Sequence, residues 1–183
     1  MKRIRSVDLM TDKKIVKWLN IFSVFLILIF YFVFTIITKL LPVKNPVQEQ
    51  SVYQLVGGLV LLFVLIVVHE LIHGLFFKLF SPEGKVKFGF KNGMAYATSP
   101  GSRYSRGKFA WISVAPFVLI SLGLTISYVA GILPGSNYVF VAAIHGACCV
   151  GDFYWVYLIL RAPKDSLIED TEVGIDFYQL ADD

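Results

Sequence analysis

Charge is what this sequence has least of. Of its 183 residues only 16% are Asp, Glu, Lys or Arg, while 56% are hydrophobic; soluble globular chains average about 25% charged. The shortage excludes an ordinary soluble domain and points to an integral membrane protein, with a length that suits one domain over 1–183. Cysteine is nearly missing. The two present, Cys148 and Cys149, are adjacent in an apolar stretch, which excludes a disulfide framework and reads as small helix-packing residues. No internal repeat is visible, which removes solenoids and counts against an inverted-repeat transporter. The net charge of +4 is no nucleic-acid signature, because the basic residues stand at the ends of apolar runs. A leader-type cleavage site is also lacking. The basic start, Met1 to Arg5, is separated from the first apolar run at Ile21, and that run reads as a retained span.

What is present is four apolar runs, about 20–41, 52–80, 109–131 and 138–160, each near the 20 or so residues a bilayer-spanning helix needs. The expected fold class is an all-α membrane protein with four transmembrane helices and a cytoplasmic β-hairpin between spans two and three. Residues 1–18 read as a basic, headgroup-facing segment with Trp18 as an interfacial anchor. Pro42 to Ser51, with two prolines, reads as a linker. Pro116 predicts a kink in span three, and 132–137 a tight turn. The hairpin is expected at about 85–98, where Lys85–Phe90 alternates with period two and Asn92-Gly93 precedes Met94–Thr98. The tail, 162–183, is acidic and reads as soluble. With four spans, 15 of the 17 Lys and Arg fall on the side of both termini and the hairpin, so the positive-inside rule puts these in the cytoplasm of a multi-pass cell-membrane protein.

The chemistry-bearing stretch is His69-Glu70-Leu71-Ile72-His73-Gly74, inside the second apolar run. Residues four apart share a helix face, so His69 and His73 can turn a ring nitrogen each to one cation. Glu70, beside the first, can reach a water on that cation as general base. Zinc fits best, since it takes neutral imidazoles and leaves a position open for water. Ionisable residues at membrane depth are costly, which makes them functional candidates.

Two histidines leave a third ligand to find. Asp152, His145, Cys148, Cys149 and the hairpin are candidates. At about 1.5 Å per helical residue, His69 lies about 13 Å from Lys78, and Asp152 lies about 13 Å from Arg161. His145 would lie about 10 Å deeper than Asp152. Depth therefore selects Asp152, a lone carboxylate in an apolar segment that a cation would offset. His145, one heptad before Asp152, is expected as a satisfied interior histidine.

The HELIH span, the hairpin after it and the later aspartate resemble the core of the site-2 protease class of intramembrane metalloproteases. That resemblance implies His69, His73 and Asp152 as zinc ligands and Glu70 as the catalytic glutamate. It covers about residues 52–161, although the aspartate of that class usually sits in Leu-Asp-Gly and here stands in Val150-Gly151-Asp152-Phe153. The chain also resembles, over most of its length, a family of small bacterial zincin-like membrane peptidases catalogued as a domain of unknown function. The shared features are HELIHGLFFKLF, Gly151-Asp152 and Pro163-Lys164-Asp165. The function expected is a zinc-dependent intramembrane or juxtamembrane peptidase acting on a membrane-protein or peptide substrate, held extended at the hairpin edge (Val86–Phe90 or Met94–Thr98). The alternatives are a non-catalytic metal-binding assembly or immunity factor that keeps the fold, and a small ion-relay subunit. The partners expected are the lipid bilayer and that substrate, with no nucleic acid.

Overall fold

The computed structural model describes residues 1–9, 12–41, 43, 52–91, 94–171 and 173–179. Five helices and six strands follow in the order β1 (Lys2–Asp8), α1 (Lys13–Leu40), α2 (Val52–Phe80), β2 (Lys87–Lys91), β3 (Met94–Thr98), β4 (Arg103–Ser105), α3 (Arg106–Val129), α4 (Gly135–Cys148), α5 (Val150–Arg161), β5 (Leu167–Asp170) and β6 (Gly174–Gln179). The chain is mostly helical. Helices α1, α2 and α3 are each long and apolar enough to cross a membrane, and α4 with α5 passes the same test as a broken pair. Large apolar side chains on α1 and α2, such as Phe32 and Phe63, stay exposed, a pattern that fits helices able to cross a membrane.

Two expectations need correction. The chain is not all-α. Strands β1, β6, β5 and β4 form a sheet in that order, built from the segment read as headgroup-facing and the segment read as a soluble tail. The physical reason is non-local pairing: Val7 stands opposite Ile175, Ile168 opposite Phe177 and Tyr104 opposite Ile168, and all five are buried. The run 138–160 is not one continuous helix but α4 and α5, separated at Cys149. The first helix begins at Lys13, two residues before the Ile15–Leu19 stretch that the sequence allows as an interfacial start of the span. There the Asp12 carboxylate accepts the N–H groups of Lys14 at 2.9 Å and Ile15 at 3.1 Å, a side-chain N-cap. The linker, apart from Val43, and the Asn92-Gly93 turn lie outside the described residues.

The chain divides into two compact units. The first comprises residues 1–19, 68–116 and 151–183. Its core joins the buried sheet face to Phe77 of α2, Phe109 and Ile112 of α3, and Leu158 and Ile159 of α5. The rings of Phe77, Tyr104 and Phe109 lie 5.6–6.4 Å apart, within the range of favourable aromatic pairs. Arg106, at the start of α3, donates to the carbonyls of Ile159 and Leu160 at 2.8 and 3.0 Å. It thereby satisfies two orphan acceptors at the C-terminal end of α5. At Gly174 any Cβ would run into the Val7 carbonyl, so the β1–β6 pairing requires glycine there.

Strands β2 and β3 pair antiparallel as a separate two-stranded sheet, from Lys87 opposite Thr98 to Lys91 opposite Met94. This pair is seated on α2. A Cβ at Gly74 would run into the Phe88 ring and come within 3.4 Å of Val86 Cγ1. The glycine that follows His73 thus lets the strand close on the helix.

The second unit comprises 20–67 and 117–150. Tyr138 centres it, stacked on Tyr128 at 4.9 Å, edge-on to Phe34 at 5.6 Å and hydrogen-bonded to Thr125 at 2.9 Å. The Asn137 amide donates to the Gln54 carbonyl at 2.9 Å.

Candidate metal centre

The apolar run that makes α2 a helix also fixes what its polar residues can face. Residues 69 and 73 form one stripe, and 70 and 74 the adjacent one. On the first stripe, His69 Nε2 and His73 Nε2 lie 3.1 Å apart, with the rings edge to face at 76°. Asp152 comes to the same point from α5. Its Oδ2 is 3.3 Å from His69 Nε2 and its Oδ1 is 3.2 Å from His73 Nε2. The side chains of His69, His73 and Asp152 are 14%, 11% and 14% exposed, so the cluster is nearly closed to solvent.

The break at Cys149 gives Asp152 its setting. Asp152 sits in the first turn of α5, where unpaired N–H groups and the helix dipole favour an anion. A continuous helix would have left it mid-helix without that support.

The donor set fits zinc. A tetrahedral ion with ligands at about 2.0–2.1 Å holds neighbouring donor atoms about 3.3 Å apart; the two histidine nitrogens are 3.1 Å from each other, and each has one oxygen of the Asp152 carboxylate, Oδ2 for His69 and Oδ1 for His73, at 3.3 and 3.2 Å. The tautomer also fits. His73 Nδ1 lies 2.9 Å from the Ile112 carbonyl; a carbonyl only accepts, so Nδ1 carries a proton and Nε2 is the nitrogen left for a metal. Such an outer hydrogen bond is the usual support of a metal-binding histidine.

On the second stripe, the Glu70 carboxylate is turned to the backbone N–H of Ala97 in β3. Pairs along an antiparallel ladder alternate between exchanging hydrogen bonds and not. With the Ala97 N–H turned to Glu70, the Phe88–Ala97 pair exchanges none. Ala95, two residues earlier, presents its backbone groups outward in the same way.

The residues singled out in the sequence divide as follows. His69, Glu70, His73 and Asp152 all belong to the first unit and cluster there. His145 belongs to the second and is buried with Cys149, whose Sγ is 3.9 Å from His145 Nε2 and donates to the His145 carbonyl at 3.2 Å; Cys148 is exposed.

One group beside the cluster escaped the sequence reading. Asp170 of β5 is buried and accepts the Ser99 N–H at 3.2 Å. Burial pushes its carboxyl up to about 7, with the like charge of Glu70 adding to the rise and the Thr98 hydroxyl, the Ser99 N–H and His73 opposing it. The sequence signal was the alternation Ile168-x-Asp170 and Ile175-x-Phe177, which puts Asp170 on the buried face.

A sequence profile of the family described as "Putative zincin peptidase" matches residues 62–167. No curated protein and no solved structure matches the chain.

Proposed function

Because the chain belongs to this zincin peptidase family, we propose that it is a zinc-dependent peptidase working within or at the surface of the membrane. His69, His73 and Asp152 are the zinc ligands and Glu70 is the general base. The observation that carries the reading is the meeting of His69 and His73 Nε2 of α2 with the Asp152 carboxylate of α5, each of the three side chains within 3.1–3.3 Å of the other two. Zinc held there would supply Lewis acidity toward a scissile carbonyl and acidify a water in its open position.

The chain's own groups do the rest. Glu70 takes the proton of the attacking water and returns it to the departing amine nitrogen. The Ala97 N–H holds the Glu70 carboxylate in place, and the Ile112 carbonyl keeps the His73 proton on Nδ1. A helical amide is already hydrogen-bonded, so the substrate has to be extended. The outward groups of Ala95 and the Ala97 carbonyl on β3 are suited to receive it as an added strand. Phe88 and Phe90, both exposed, give the β2–β3 pair an apolar side for a membrane-associated substrate.

The test is the zinc content of detergent-purified protein by elemental mass spectrometry, with casein hydrolysis on the same samples. About one zinc per chain is expected in wild type, lost in His69→Ala and Asp152→Ala. Zinc kept by Asp152→Ala would remove that residue from the ligand set. Zinc bound by a wild type that cleaves nothing would favour the non-catalytic metal-binding alternative.

A further inference from the structure

The strand that faces Glu70 is held at its far end by a second acid. Residues two apart in an extended strand turn their N–H groups to the same side. The Ala97 N–H meets Glu70 of α2, and the Ser99 N–H meets Asp170 Oδ2 of β5 at 3.2 Å. Ser99 then opens a tight turn in which the Ser102 N–H donates back to the Ser99 carbonyl at 3.2 Å, and Gly101, at φ +78°, donates its N–H to Glu169 Oε1 at 3.1 Å. The adjacent acids of β5 thus grip this turn at two points. Ser99 has a third tie, since its Oγ accepts the hydroxyl of buried Tyr104 at 2.9 Å.

This grip matters because of what holds β3 otherwise. A lone two-stranded sheet is marginal in stability, and β3 pairs only with β2 among the described strands. Asp170, in contrast, is set by a four-stranded sheet and stands opposite Ile175 in a fixed register. It is a buried acid, a costly residue to keep unless its acceptor is used.

We propose that Asp170 is a positioning residue for Glu70: by holding the Ser99 N–H it fixes the end of β3 and so the point at which the Ala97 N–H meets the general base. The proposal rests on the reading of Glu70 as that base. The four-stranded sheet thereby takes part in the site through β3.

The test is amide hydrogen exchange at single-residue resolution on the full-length, zinc-loaded protein in micelles, with casein hydrolysis in parallel. In Asp170→Ala, Ala97 should exchange about tenfold faster, by loss of local protection, with the amides of 66–73 unchanged. Asp170→Asn keeps an acceptor for Ser99 and should restore both protection and hydrolysis. Ser99→Pro deletes the donor while leaving the acid. Proline after Thr98 suits the extended backbone of that residue, and Ala97 should loosen as in Asp170→Ala. An Ala97 amide that stays protected while Ser99 loosens would overturn the proposal, as would Asp170→Asn failing to restore hydrolysis. A wild type that cleaves no casein would overturn the peptidase reading, and the exchange data would still judge the hold of Asp170 on β3.

Discussion

Replacing Asp170 with asparagine should stabilise the metal-free protein, and only above a definite pH. The carboxyl is raised from 3.8 to about 7, first by burial. The native state therefore holds this proton more tightly than the unfolded chain does. Between about pH 4 and 7 the native state binds more protons, and stability falls as pH rises through that window. Below it the acid is neutral in both states and costs nothing; above it the cost is complete. A rise of about three units at about 1.4 kcal/mol each gives about 4 kcal/mol. Asparagine keeps the acceptor for Ser99 without the charge. At pH 8, Asp170→Asn should thus melt about 10 °C above wild type, taking about 2–4 °C per kcal/mol for a chain of this size. At pH 4 the two should melt together. Tryptophan fluorescence on EDTA-treated protein in micelles reads this directly. Zinc should narrow the gap at pH 8, because a cation near the acid favours its charged form. A variant less stable than wild type at pH 8, or a gap that does not close on acidification, would refute the reasoning.

The remaining expectations concern the two helix stripes and the glycines. Glu70→Gln should keep its zinc by elemental analysis and lose at least about a hundredfold in casein hydrolysis, the usual scale of a general base. Gly174→Ala places a methyl group against the Val7 carbonyl; a melting scan should show a loss of about 1–3 kcal/mol, as for overpacking elsewhere, and exchange should accelerate along β1. Gly74→Val pushes the Phe88 ring off α2, so zinc content should hold while hydrolysis falls and the amides of β3 lose protection.

The parts of this molecule legible in the sequence are those set by local periodicity. His69 and His73 share a face because a helix repeats every 3.6 residues, and an apolar run alone suffices to make α2 a helix. Asp152 followed from depth, a one-dimensional property that a sequence retains. The sheet followed from neither. Five of the seven residues of β1 are exposed, so nothing in Lys2–Asp8 alternates strongly enough to mark a strand, and its partner stands more than 160 residues away. β6 does alternate, through Ile175 and Phe177, but its acids suggested solvent. Asp170 was hidden with it, since a buried acid in a charged tail is visible only once the strand's register is known. The Cys149 break was also illegible: no proline or glycine stands at that position, and the helix ends there while its apolar composition continues.

The β1–β6 ladder has a consequence for topology. Two strands of one sheet occupy one compartment, and these two lie at opposite ends of the described chain, paired from Lys2 with Gln179 to Asp8 with Gly174. The stretch between β1 and β6 therefore crosses any bilayer an even number of times. If α1, α2 and α3 each cross, the count is odd until the broken pair α4–α5 supplies one crossing more. The backbone ladder thus imposes a parity on whatever crossings the helices make, independently of hydropathy and of where the lysines fall.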